Sequence, residues 1–500
     1  MELTPHSGLS APAQGSPVAP KQPKKRIVIA GASGFVGSHL IEAFGKTHEL
    51  IGLTRSEARA MDREDRSPIQ WVLCDLYSLR EVRECLQGAD LAIYLVHSML
   101  PSSRLTQATF EDLDWILADN FARAAAENEV RQIVYLGGLI PEETRLSPHL
   151  RSRLEVERTL AAYGTPVTAL RAGIVVGAGG SSLSMLVNLV GRLPVMLLPS
   201  WTESRTQPIA VRDLIRAFQE VLDTPRYFGQ AVDVGGPEVM SYRELIQTTA
   251  RVMGKRRWLI PLPVFSARLS TLWIRLITGA PQALVRPLIE SLRHEMVARP
   301  NPLLEEIRRG SLPFAAALSE ALRSGKETRA TRGRDRIRRK DQTKLKRESR
   351  VKSIQRLRRP GTMRASEVSE EYFRWLDRRL RPFVRVEVNG DGDATFRLSL
   401  CKSPLLKLSF HPGLSSPDRR LYYITDGLLV RQSGNRRARF EFRDTPDNPA
   451  TLCAIHDFLP KIPWTFYKWT QAKVHLLVMN AFRRHLDKAR RLQQTTLKSE

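Results

Sequence analysis

The 500-residue chain has few cysteines, few aromatic residues and a shortage of acid. Its four cysteines, Cys74, Cys85, Cys401 and Cys453, are too few for a disulfide framework and show no metal-ligand spacing. Reduced, buried thiols in a cytoplasmic chain are the expectation. No uncharged apolar run reaches the roughly 18 residues of a membrane-spanning helix. The nearest runs are Ser181–Trp201, broken by Arg192 and Pro194, and Trp258–Leu292, broken by Arg268, Arg275 and Arg286. Met1–Pro23 is rich in Pro, Ala and Ser but lacks an apolar core, so it predicts a disordered leader over residues 1–25, not a secretory signal.

Lys and Arg number 78 against 52 Asp and Glu, and the excess is unevenly placed. Residues 321–365 hold 18 Lys and Arg but only 4 Asp and Glu. Such a segment attracts nucleic acid, yet no aromatic residue lies within it to stack on bases, which speaks against that partner. An anionic membrane surface is the rival attraction, favoured by the arginine-studded apolar stretch Val264–Leu292 and by Trp464, Phe466, Tyr467 and Trp469. A peripheral position at the inner membrane face would follow. A solvated linker is the third reading.

Along the first half, β-branched runs alternate with helical patterns. Arg26–Ala30, Glu49–Thr54, Ile69–Cys74, Leu91–Val96, Arg131–Leu136 and Val167–Arg171 read as strands. Phe35–Phe44, Leu79–Gln87, Leu105–Asn128 and Arg151–Tyr163 read as helices. This alternation predicts an α/β fold, a doubly wound parallel sheet with helices on both faces. Further on come a helix over Val211–Leu222, a strand over Gln230–Val234 and a helix over Tyr242–Met253 with a Ser241/Glu244 capping box. The expected division is a nucleotide domain over 26–310, a basic linker over 311–365 and a separate α+β domain over 366–500. Within the last, strands are expected at Phe383–Val388, Thr395–Leu400, Leu405–Phe410, Leu421–Thr425, Leu428–Arg431 and Arg437–Phe442, then one long helix from Trp464 to Arg490. In that helix Trp464, Tyr467, Val474, Leu477, Val478 and Ala481 form an apolar stripe that predicts core packing.

Chemistry enters at Gly31-Ala32-Ser33-Gly34-Phe35-Val36-Gly37, between a buried strand and a helix. Glycines at these spacings permit a tight turn, close approach of a pyrophosphate, and close strand–helix packing. The helix start offers N–H groups to phosphate. Where the second strand ends, an acidic residue would bind a ribose 2′-hydroxyl; this chain has Arg55, which suits a 2′-phosphate and so NADP(H). Asp75, ending the third strand, is placed to meet the adenine edge.

The glycine loop, Cys74-Asp75-Leu76, Tyr94 to Met99, Leu170 to Gly177, Ser204 to Ala210, Gly236 to Tyr242 and Gly254 to Pro261 together resemble the atypical and extended short-chain dehydrogenase/reductases. The nearest resemblance is to the NmrA-like subgroup related to the Rossmann accessory subunit of respiratory complex I. It implies a diphosphate lined by Gly31, Ser33, Gly34, Phe35 and Val36, with Arg55 on the 2′-phosphate. It also implies adenine held by Asp75 and Leu76, Leu95, Val96 and His97 bordering the ribose and nicotinamide side, and Gly173, Ile174 and Val175 near the nicotinamide. Residues 366–500 are loosely similar, in order of elements alone, to START and polyketide-cyclase helix-grip domains, whose cup encloses apolar ligands.

The chain departs from active family members at the catalytic pair. None of its ten tyrosines has Lys four residues later, and Gly137-Gly138 stands where a Ser is expected. The corresponding segment reads His149-Leu150-Arg151-Ser152-Arg153, which makes His149 a candidate proton donor and Arg153 a ribose or phosphate contact. His97, at the C-terminal edge of a strand, is a further candidate, with a structural histidine as the alternative. Two functions follow as expectations: an NADP(H)-dependent reductase acting on an apolar molecule such as a quinone or lipid, or a non-enzymatic NADP(H) sensor or assembly factor docking at a membrane or protein partner.

Overall fold

The computed structural model describes residues 24–62, 67–98, 103–143, 145–262, 290–327, 350–361, 363–401, 403–431, 438–446 and 449–496. Residues 1–23 of the expected leader, most of Val264–Leu292 and the most basic stretch, 328–349, lie outside the described residues.

Seven parallel strands form the first sheet, in the order Gln70–Leu73, Glu49–Thr54, Arg26–Ala30, Leu91–Tyr94, Gln132–Gly138, Val167–Ala172 and Ala231–Val234. The chain runs outward one way from Arg26–Ala30 and then reverses past Leu91–Tyr94. That switch leaves a crevice at the strand C-termini where nucleotides bind in such sheets. Helices cover both faces, so the central strands read as continuous apolar runs. Ile27, Ile29 and Ile93 serve one core with Leu214 and Phe218. Val28, Ala92 and Tyr94 serve the other with Trp115 and Phe121.

Residues beyond the sheet build a smaller lobe. The helix Tyr242–Val252 starts with the expected Ser241/Glu244 capping box. Val195–Pro199 and Trp258–Leu262 pair in parallel as a two-stranded ribbon. The helix Phe314–Glu327, inside the stretch read as a linker, packs Phe314, Ala317 and Leu318 against Trp201 and Tyr242.

The C-terminal half is an eight-stranded sheet in the order Val384–Val388, Ala394–Leu398, Pro404–Phe410, Arg419–Asp426, Arg439–Asp444, Ala450–Phe458, Val351–Arg358 and Leu105–Gln107. Val351–Arg358, expected in the linker, is a buried strand that opens this domain. Leu105–Gln107, expected to begin a helix, is instead a strand from the first half, paired in parallel with Val351–Ser353. The helix begins at Phe110, where the Thr109 side chain accepts the Asp112 N–H at 3.2 Å. Leu428–Arg431 is not a strand; it forms the isolated bridge Val430–Pro460, and the Leu428 and Leu429 N–H groups donate to the Pro404 and Leu405 carbonyls.

The final helix breaks at Thr470 into Trp464–Trp469 and Gln471–Thr496. Its buried face is Ala472, Met479, Phe482 and Leu486, while Val474 and Leu477 of the expected stripe are exposed. Tyr372, Phe373, Phe440, Phe442 and Phe482 fill the space between this helix, the helix Ala365–Leu380 and the sheet. The place where a helix-grip cup would hold a ligand is thus occupied by the protein's own rings.

The sheet's other face joins the first half. Ile354, Leu452 and Ala454 enter the core around Trp115 and Phe121. Arg356 bridges Asp112 at 2.7 Å and Glu155 at 2.6 Å. Arg443, fully buried, donates to Asp119 at 2.5 Å, Asn120 at 2.7 Å and Glu441 at 2.9 Å.

Candidate functional site

The glycine loop takes the shape its spacing predicts. Gly31 lies in the left-handed region at φ +91°, and the Gly34 N–H closes the turn onto its carbonyl at 2.9 Å. A Cβ on Gly37 would stand 2.6 Å from the carbonyl oxygens of both Gly31 and Ala32, so only glycine lets this helix approach the strand. Ser33 and Gly34 are exposed at the crevice. Their backbone, at the start of a ten-residue helix, is a cradle that suits a phosphate. Phe35 packs its ring beside Gly177 and Gly180, and Val36 packs partly buried against the core. Leu95 backs Gly31 and extends the fourth strand, its N–H bonded to the Ala30 carbonyl at 2.9 Å.

Arg55 is exposed at the end of the second strand. Asp75 is buried; its Oδ1 accepts the Tyr77 N–H at 3.2 Å, and its own N–H donates to Glu81 at 2.9 Å. Leu76 is buried beside it, its carbonyl accepting from Asn120 at 2.9 Å. These groups line one end of the crevice.

At the other end, the helix Pro148–Leu160 is capped by Ser147, whose hydroxyl accepts the Leu150 N–H at 3.3 Å. Its first turns bring His149 and Arg153 to one face, beside His97 at the end of the fourth strand. Arg153 is buried in an ion pair with Asp114, which also accepts the Ser98 N–H. The guanidinium is therefore engaged beneath His97 and His149. Burial lowers the His149 pKa to about 3, with the Arg153 and His97 charges adding to the effect. Its Nδ1 is buried without a hydrogen-bond partner among the described residues. Burial and Arg153 also lower the pKa of His97, against the pull of Asp114. Both imidazoles are thus neutral near pH 7.

His149 faces a cavity of about 240 Å³. Gly173 and Ile174 form its edge toward the crevice, and Met185, Leu186, Leu189, Trp201, Leu245 and Ile246 make it mostly apolar. Tyr242 supplies a hydroxyl whose pKa burial pushes up to about 12. Val175 lies just behind, paired in parallel with Ile209. The structure thus gathers His97, His149, Gly173 and Ile174 at one end of the crevice and Arg55, Asp75 and Leu76 at the other, with the glycine loop between. Sequence reading missed Asp114, Trp201 and Tyr242; nothing marks Asp114 apart from Asp112 or Asp119 in the same helix. Among the described residues no group of His, Cys, Asp and Glu is arranged to hold a metal ion, and no helix is long and apolar enough to cross a membrane.

Residues 27–235 match the model of the NAD dependent epimerase/dehydratase family. The match spans the parallel sheet and the glycine loop and ends before the cavity is complete. The chain is also similar to Auxiliary protein GraX of Staphylococcus aureus, 30% identical over 144 residues, 29% of this chain and 43% of the relative. The chain therefore spans less than half the length of that relative. Ceramide reductase of Caulobacter vibrioides is 25% identical over 242 residues, 47% of this chain and 73% of the relative. The structure of Citrobacter sp. triphenylmethane reductase complexed with NADP(H) is 16% identical, with a TM-score of 0.48 over 59% of this chain and 99% of that one.

Proposed function

We propose that the chain binds NADP(H) along the crevice and reduces an apolar molecule, of the quinone or lipid class, held in the cavity beside Gly173. The observation that carries this reading is the position of the cavity. It opens where the glycine loop and Arg55 would direct the nicotinamide end of a dinucleotide, and its wall is mostly apolar, with His149 and Tyr242 among its few polar side chains beside Ser182, Thr206 and Ser291. The loop's open backbone and its glycine-only packing fit the phosphates. The bound nicotinamide would supply the hydride, and the acceptor oxygen would take its proton from the neutral Tyr242 hydroxyl, which solvent would reprotonate. The chain's own residues would exclude water, orient the acceptor and offer it a hydrogen bond from neutral His149. The relative named a ceramide reductase is consistent with a lipid acceptor.

An apolar substrate arrives most readily from a membrane surface, and the lobe that holds the cavity presents a face suited to one. Val195, Leu197, Trp258 and Ile260 point outward from the parallel ribbon, Trp258 with 75% of its surface exposed. Arg192, Lys255 and Arg256 are exposed around them, which suits anionic lipid. Met196 and Leu198, on the ribbon's inner side, pack with Leu189 and Ile246 of the cavity wall.

The test is NADPH oxidation by full-length protein with a quinone and with a long-chain keto lipid as acceptors. Leu186→Trp, which fills the cavity, should abolish turnover and leave NADPH binding intact. Tight NADPH binding without turnover on either acceptor class would contradict the reductase reading and favour the sensor or assembly role.

A further inference from the structure

The crevice is not walled by the N-terminal half alone. Asp75, Leu76 and Tyr77 leave the third strand near Arg55, and the bulged strands Val351–Arg358 and Ala450–Phe458 lie against them. Pairing between those two strands jumps from Val351–Phe458 to Ser353–Ile455, so Lys352 stands opposite both His456 and Asp457. Asp457 takes a left-handed backbone with φ 54°. Bulges of this kind re-aim side chains and recur beside functional sites. Here Val351 turns into the C-terminal core, while Lys352 turns toward the first half and is buried with its ammonium 3.3 Å from the Tyr77 ring centroid. The His456 ring lies 5.7 Å from the same ring. Arg439 stands 3.0 Å from Asp457 and 3.9 Å from Asp75.

The electrostatics link this wall to Arg55. Burial lowers the Lys352 pKa to about 8; Asp75 and Asp457 oppose the shift, and the Arg55 and Arg439 charges add to it. The Arg55 charge thus lies near enough to Lys352 to be felt there. An anion near both would offset that effect. Converging Arg and Lys side chains are what a phosphate dianion requires.

We propose that the C-terminal half completes the nucleotide site, with Lys352 joining Arg55 on the 2′-phosphate of the dinucleotide and Arg439 orienting Asp75 toward the adenine. This rests on the NADP(H) reading above. It makes cofactor choice a property of both halves of the chain. Lys352 is the binding group and Arg439 a positioning residue.

The experiment titrates full-length wild type, Lys352→Met and Lys352→Arg with NADPH, NADH, 2′,5′-ADP and 5′-AMP. Met keeps the stem packed on Tyr77 but withdraws a cation from buried Asp75 and Asp457, so the variant should melt lower than wild type, and Lys352→Arg, which keeps the charge, is the control for that loss. Lys352→Met should weaken NADPH and 2′,5′-ADP by about tenfold or more, the scale of a lost charge-assisted hydrogen bond. NADH and 5′-AMP should bind as before, and Lys352→Arg should retain the preference. Wild type that prefers NADPH, with Lys352→Met unchanged, overturns this inference alone. Equal weakening of all four ligands with a lowered melting temperature assigns Lys352 to structure and also overturns it. Wild type that binds none of them overturns the NADP(H) reading and this one with it.

Discussion

His149 and Arg153 stand where the resemblance places a Tyr–Lys pair, but their chemistry differs from it. A Lys beside a Tyr eases loss of the phenolic proton. Here Arg153 is tied to Asp114, and its charge helps burial hold His149 neutral. With its pKa lowered to about 3, His149 does not carry an imidazolium proton at pH 7, so in the proposed reaction it would act as a hydrogen-bond partner to the acceptor. His149→Phe should therefore lower kcat by about a hundredfold or more, the scale of a lost hydrogen-bond donor to a developing oxyanion, with NADPH affinity unchanged. The wild-type rate profile between pH 5 and 8 should show no inflection that His149→Phe removes. A lost inflection near pH 6.5 would contradict the assigned charge state. At this scale the glycine loop and Arg55 were legible, because local backbone geometry and strand position dictate them. The Arg153–Asp114 pair was not, because any of the three aspartates in one helix presents the same pattern until the helix is docked.

Among elements, the parallel strands announced themselves because burial on both faces leaves them uniformly apolar. Leu105–Gln107 stayed hidden because its pairing partner, Val351–Arg358, is supplied by a remote part of the chain. Ala450–Phe458 shows no apolar/polar alternation because one face meets the aromatic core and the other meets the first half. Polar side chains hold that junction. Arg443→Ala would leave Asp119 and Glu441 buried without their common partner, and removal of one member of a buried pair costs about 3–5 kcal/mol. Denaturant unfolding should show that loss; a loss below about 1 kcal/mol would mean the network contributes little. Acid should act on the same elements. His475, beside Ser353, is pushed down to about 4 by burial, and His149 to about 3. The unfolded chain takes up these protons near pH 6.5, whereas the fold resists until far lower. Their contribution is therefore complete above pH 6.5 and is lost as pH falls toward the folded values, at up to about 1.4 kcal/mol per pH unit for each group. The melting temperature should fall between pH 6.5 and 4, and His475→Phe should flatten that slope.

Across the whole molecule, the sequence showed two folding units and a basic stretch, and the structure shows the units sharing a sheet and a core. The exposed ribbon and its cations make a further prediction. Full-length protein should sediment with vesicles containing anionic phospholipid, and either high salt or Trp258→Ser should release it. Equal sedimentation with neutral vesicles would contradict the charge argument. Everything proposed about turnover and surface binding depends on what fills the crevice. The most direct measurement is a fluorescence titration of the full-length protein with NADPH and, in parallel, NADH, repeated with Arg55→Ala. Micromolar binding that prefers NADPH, with the preference lost in Arg55→Ala, is the predicted result. Binding of neither nucleotide, or equal binding of both that Arg55→Ala leaves untouched, would contradict the account.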